Sequence, residues 1–347
     1  IIDDELPLPV LQESLLKDIK DEASNEGVIN LQEEIKLDYI VEGIIMLLGI
    51  DPDFKNNNIY NGILRASNDR IEEYIFYLGM KDFEEEKFLD AAIKFRCILQ
   101  LNEQNQKALF NYALVVEILS DQKEDVDQDI LNYSTRLFEQ VLNIDDEFDL
   151  AYYKLGYHYK YLSQYLKASL MWEKFIEKSD DEVLIQSIRE ELISIEDEVN
   201  MESAFTYILY NDYDKALSYL EKLLPRHKDL WNVNMMLGKA YAGLGDFDLA
   251  KSYYETSMEK NPTNVDIYNE LGILYINLGL YDESLEVFSK GINSIEGSDY
   301  KLYYNRGLVY TQIEDYNNAL ADFKEAKKLN PSNESIDNVI EEITNLM

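Results

Sequence analysis

Between Trp231 and Asn333 the apolar positions of the chain recur in three copies of one pattern. The copies read LGKAYAGLGDFDLAKSYYETSMEKNP from Leu237 to Pro262, LGILYINLGLYDESLEVFSKGI from Leu271 to Ile292, and RGLVYTQIEDYNNALADFKEAKKLNP from Arg306 to Pro331. Gly238, Gly272 and Gly307 lie 34 and 35 residues apart. A fixed period of that length marks a stacked repeat array. With the glycine set as position 8, position 11 is Tyr241, Tyr275 and Tyr310, and position 20 is Ala250, Ser284 and Ala319. Position 24 is Tyr254, Phe288 and Phe323. Residues three and four apart share a helix face, so positions 4, 7, 8 and 11 predict a first helix and 20, 24 and 27 a second. Small residues at 8 and 20 let the two backbones approach, and the aromatic at 24 fills the space beside them. Gly245 and Gly279 fall between the helices, where positive φ is easily adopted. Pro262 and Pro331 at position 32 cannot continue the second helix.

Weaker copies precede these. Leu78-Gly79 with Ala91, Phe95 and Ile98 mark a repeat over 72–105, and Tyr112-Ala113 with Ser134, Phe138 and Val141 mark one over 106–148. The latter carries an acidic insertion, Asp121 to Asp129, read as a solvated loop. Leu155-Gly156, Tyr159, Ala168 and Trp172 give a repeat over 149–182, and Ala204, Tyr207, Ala216 and Leu220 one over 197–230. The clear copies then occupy 231–264, 265–299 and 300–333. Residues 183–196 form an extra helical segment, either an extension of the next first helix or a separate linker helix. Residues 1–71 read as a helical extension with apolar runs from Val10 to Ala23 and from Leu31 to Leu48. Asp51 to Gly62 reads as a polar loop, since Asn56 and Gly62 stand where a calcium-binding loop needs glycine and an acid. Residues 334–347 place Ile336, Val339, Ile340 and Ile343 on one face, as a helix covering the end of the array would.

Period, glycine or alanine at 8, alanine at 20 and an aromatic at 24 together resemble the tetratricopeptide repeat (TPR) family. The resemblance covers residues 72–333 and departs at Asp82 in position 11, Arg306 in position 7, and Phe175 and Leu223 in position 27. It implies an all-α fold: a right-handed α-solenoid of about seven TPR helical hairpins, with the N-terminal helical extension and the C-terminal capping helix. It also implies a non-enzymatic protein–protein interaction scaffold. In that family the first helices line a concave groove through positions 2, 5, 9, 12 and 13. Residues carried over to the groove are Tyr153, Tyr157, Lys160, Met201, Phe205, Met235, Lys239, Asn269, Ile273, Tyr304, Asn305 and Leu308. Phe76, Met80, Phe110 and Leu114 stand at equivalent positions of earlier repeats. One subgroup clamps a terminal carboxylate with lysine at 5, asparagine at 9 and asparagine at 6. Asn305 fits, but Asn269 and Ile273 stand where the lysine and asparagine are needed, so the clamp is not expected.

Charge narrows the partner. The 347 residues carry 68 acids against 32 bases, a formal net charge of −36. Phosphate binding needs a basic stripe, so nucleic acid is excluded as an expected partner and a protein or peptide is left. Lys160 and Lys239 read as isolated positive charges on a groove wall. The longest apolar run, Ile44 to Ile50, is too short to span a bilayer. No signal peptide is visible and a cytoplasmic location is the expectation, with the native N-terminus left open because the chain starts at Ile1.

No catalytic constellation emerges, and neither a metal nor a cofactor is expected. Cys97, the single cysteine, falls on a second helix and reads as a quiet thiol. His158 reads as a packed histidine and His227 lies near a repeat junction. The glycines of GKAYAGLGDF, Gly238 to Phe247, sit in a helix and turn and match no phosphate loop. An alternative to the binding scaffold is a structural module in which residues 1–71 drive self-association and the repeats act as a spacer.

Overall fold

The computed structural model describes residues 37–121, 128–294 and 299–347. The run from Val10 to Ala23 and most of the acidic insertion after Asp121 lie outside the described residues. Among the described residues there are eighteen helices and no strand, as the all-α reading expects. They divide between two compact units, Ile1–Glu190 and Glu191–Met347.

In the first unit the helices are α1 (Leu37–Ile50), α2 (Asn57–Ser67), α3 (Ile71–Glu84), α4 (Phe88–Leu101), α5 (Gln106–Asp121), α6 (Gln128–Ile144), α7 (Asp149–Tyr161) and α8 (Tyr165–Lys178). The unit boundary falls within α9 (Glu182–Ser194), a separate helix rather than an extension of the one that follows. α3 with α4, α5 with α6, and α7 with α8 form hairpins. Val41, Ile44, Ile45 and Leu48 make an apolar stripe along α1 that packs on α4 and shares one core with Ile75, Phe95 and Ile98.

The expected loop from Asp51 to Gly62 is corrected by α2, which starts at Asn57. Its asparagine run has weak helix propensity, but Tyr60 and Leu64, four apart, are both fully buried in the core beside α1. Tertiary burial of one face decides the conformation there, as it does for most short helices.

The second unit holds α10 (Glu196–Leu209), α11 (Tyr213–His227), α12 (Trp231–Leu244), α13 (Phe247–Lys260), α14 (Val265–Asn277), α15 (Tyr281–Ser294), α16 (Tyr300–Gln312), α17 (Tyr316–Leu329) and α18 (Glu334–Leu346). They pair as α10/α11, α12/α13, α14/α15 and α16/α17. Each second helix also packs on the next first helix, and α18 buries Ile336 and Ile343 against α17.

Position 8 touches position 24 in both units. A Cβ built on Gly156 would lie 2.1 Å from the Trp172 ring, on Gly238 2.6 Å from Tyr254, and on Gly307 2.9 Å from Phe323. The turn between the helices is also shared. Position 15 is left-handed at Gly245 (φ 83°) and Gly279 (φ 72°), and equally at Glu86, Ser163, Asn211 and Glu314 (φ 56–62°). The next residue then caps the second helix. Asp212, Asp246 and Asp315 each accept a hydrogen bond from the backbone N–H three residues on. Part of the acidity of the chain therefore has a local structural role.

The departures from the repeat pattern are matched by their neighbours. Asp82 at position 11 pairs with Lys94 at position 23 of the same hairpin. Arg306 at position 7 forms a two-pronged pair with Asp322, again at position 23, through Nε–Oδ2 and Nη2–Oδ1 contacts of 2.7 Å. Its Nη1 donates to Ser289 Oγ at 3.0 Å. Phe175 and Leu223 at position 27 are fully buried, Phe175 with its ring 5.3 Å from that of Tyr153.

Candidate functional site

In the second unit α10, α12, α14 and α16 pack on one another in that order, which makes the first helices a continuous layer. Position 9 of each carries Phe205, Lys239, Ile273 and Leu308 in turn. Phe205 is 52% exposed, and Ile273 and Leu308 are each 39% exposed. The row on the layer is therefore apolar at both ends, with Lys239 between Phe205 and the adjoining pair Ile273 and Leu308.

Position 5 lies deeper. Met201 and Met235 are half-buried and pack against the cores below them. Asn232 Nδ2 approaches the Met201 sulfur at 3.7 Å. Tyr304 sets its ring edge-on to Phe323 at 5.6 Å. Asn269 is buried, and its Oδ1 accepts from Asn305 Nδ2 at 2.9 Å, so two of the predicted residues bond each other between neighbouring repeats.

Lys239 corrects the expectation of an isolated charge. Its Nζ lies 2.8 Å from Glu270 Oε1, at position 6 of the next repeat. Burial, and after it the nearby Glu270 carboxylate, push the Tyr254 pKa upward. Sequence reading missed Glu270. The available signal was an acid one position beyond Asn269, on the helix that packs beside α12.

Tyr153, Tyr157 and Lys160 belong to the first unit, on α7. The rings of Tyr153 and Tyr157 are 5.1 Å apart, and Tyr157 meets Trp172 edge-on at 5.0 Å. These tyrosines contribute to the packing of their hairpin and keep part of their surface exposed. Phe110 is buried, between the rings of Phe138 and Phe148, and is no groove residue. A separate concavity of about 1000 Å³ in this unit is lined by Arg96, Tyr112, Tyr133 and Gln140 among others.

The reactive side chains are occupied by structure. Cys97 is fully buried, and burial pushes its thiol up to about 12, so it stays protonated at neutral pH. His158 is buried, with Nδ1 2.9 Å from Thr135 Oγ1 and Nε2 3.6 Å from Glu117 Oε1. His227 Nε2 lies 2.7 Å from Asp197 Oδ2, both side chains being partly buried. Among the described residues no group of three metal-ligating side chains could hold an ion, and no helix is long and apolar enough to cross a membrane.

Comparison with known proteins bears on the same segment. Three family models, each described as tetratricopeptide repeat, match residues 232–264, 253–286 and 300–333. The middle match takes a second helix with the first helix that follows, the same period in a shifted frame. Heat shock protein STI1 of Saccharomyces cerevisiae is 39% identical over 51 residues, 15% of this chain. That match spans 9% of the yeast protein's length. A tetratricopeptide repeat protein from Parabacteroides merdae aligns at 14% identity over 79% of this chain and 98% of its own, with a TM-score of 0.40. PilW, a type IV pilus biogenesis factor, aligns at 18% identity over 66% of this chain and 98% of its own, with a TM-score of 0.43. The glycine–aromatic contacts, the 34-residue hairpins and the family matches converge: over residues 232–286 and 300–333 the chain is built of tetratricopeptide repeats.

Proposed function

We propose that this protein is a non-enzymatic protein–protein interaction scaffold that binds a peptide or protein segment on the first-helix layer of its second unit. The observation that carries this reading is the exposure of Phe205, Ile273 and Leu308 at one register position of the packed first-helix layer. Apolar side chains lined up on a surface suit the side-chain pockets of a bound segment. Half-buried Met201 and Met235 below the row supply adaptable walls.

The test is affinity capture with wild-type protein and with a Phe205→Ala, Ile273→Ala double variant, followed by mass spectrometry. Both side chains are exposed, so helicity and melting temperature should stay near wild type while the captured partner is lost. A partner retained by the double variant would place binding elsewhere.

The alternative is self-association through residues 1–71, of which 1–36 lie outside the described residues. Val41, Ile44, Ile45 and Leu48 of α1 and Tyr60 and Leu64 of α2 are taken up by the core shared with α4. Light scattering over a concentration series tests it directly: a dimer whose population follows concentration would favour that reading.

A further inference from the structure

We infer that the first-helix layer of the second unit selects a basic segment with apolar anchors, about ten residues long and extended, over an acidic or carboxylate-terminated one. This rests on the binding face proposed above. Packed helices lie 8–10 Å apart, so the row from α10 to α16 runs roughly 30 Å, which an extended chain rising about 3.3 Å per residue crosses in about ten residues.

The charges on the face decide the preference. The base in the row is already matched: Lys239 is held by Glu270 at 2.8 Å. Lys301, at position 2 of α16, makes only a longer contact, 3.7 Å to Asp266 Oδ1. Both side chains of the Lys239–Glu270 pair are about one third exposed, so the pair is already formed where a ligand would arrive. A carboxylate approaching Lys239 would have to displace Glu270 or sit beside it. An ammonium or guanidinium group meets the opposite situation. Glu198, at position 2 of α10, is exposed, and the Asp266 side chain is 61% exposed and only loosely engaged by Lys301. Apolar Phe205 and Ile273 stand on the same two helices as those acids. The formal net charge of −36 adds long-range attraction of the same sign.

The experiment is fluorescence anisotropy on the full chain with two labelled ten-residue peptides. One alternates leucine and phenylalanine with lysine; the other replaces every lysine by glutamate. In about 50 mM salt the lysine peptide should bind at least about tenfold tighter, and the gap should narrow in about 500 mM salt as screening shortens the electrostatic range. Glu198→Gln with Asp266→Asn should narrow it at low salt, and Phe205→Ala with Ile273→Ser should weaken the lysine peptide by about tenfold. If the apolar double variant leaves lysine-peptide affinity unchanged, the attraction is diffuse charge and the inference fails. Equal binding of both peptides, weakened equally by that variant, would leave the binding face standing and remove the charge preference. Binding of neither peptide would overturn both.

Discussion

A Cβ added to Gly272 would stand 2.4 Å from the ring of Phe288, closer than carbon atoms approach without something moving. Phe288 is fully buried and has nowhere to go. Gly272→Leu should therefore force α14 and α15 apart at a cost of about 1–3 kcal/mol or more. Urea denaturation followed by circular dichroism reads the loss. An unchanged midpoint would mean that the two helices do not meet at this contact.

Arg306 and Asp322 replace the apolar pair found one repeat earlier, where the same positions hold Leu271 and Val287. Asp322 is buried and Arg306 nearly so. Breaking a buried pair from one side strands the other charge, typically at about 3–5 kcal/mol. Asp322→Val alone should be strongly destabilising, while Arg306→Leu with Asp322→Val, which copies the preceding repeat, should recover most of the loss. A double-mutant cycle in urea measures the coupling; additive single effects would refute it.

Glu314 occupies the left-handed turn position that Gly245 and Gly279 fill elsewhere. Left-handed backbone costs a side chain roughly 1–2 kcal/mol, and glycine avoids that cost. Glu314→Gly should thus raise stability by up to about 1 kcal/mol, net of the greater freedom of glycine in the unfolded chain. Gly245→Ala should lower it. Opposite shifts of the urea midpoint are the expected result, and two shifts of the same sign would count against the turn geometry.

Glu117 gives a pH dependence. Burial works against its charge, but His158 and Lys154 more than offset this and hold its carboxyl below the ordinary glutamate range. A folded-state pKa below the unfolded one means that the ionised form stabilises the fold. That contribution is complete above the unfolded value of about 4.3 and is lost as pH falls through the lower folded value. The stability advantage of wild type over Glu117→Gln should accordingly shrink on acidification below about pH 4.3. A gap that stays constant from pH 7 to pH 3 would contradict the assignment.

The hairpins were legible because their signals are local. Gly238, Ala250 and Tyr254 lie within seventeen residues of one another, and each residue type has one role in the contact. The turns at Glu86, Ser163 and Glu314 were not, since nothing in those side chains announces positive φ; the surrounding hairpin imposes it. Asn211 is different, since asparagine tolerates the left-handed region. α2 was missed because Tyr60 and Leu64 acquire their helix only by burial beside α1. The binding face was legible as a set of positions but not in its charges. Lys239 finds Glu270 across a repeat boundary, on a helix whose neighbour is set by stacking. Arg306 stood out as an exception, yet its partner was readable too: Asp322 follows it by the same sixteen residues that separate Gly307 from Phe323.

Trp172, fully buried against Gly156 in the first unit, has one counterpart in the whole chain: Trp231, half-buried at the start of α12 in the second. The molecule thus carries one tryptophan for each compact unit. Under excitation selective for tryptophan over the 27 tyrosines, Trp231→Phe leaves emission that reports on the first unit alone, and Trp172→Phe on the second. Each unit's response to heat, denaturant or a bound segment becomes an optical signal, with no dye attached and the buried Cys97 thiol left untouched.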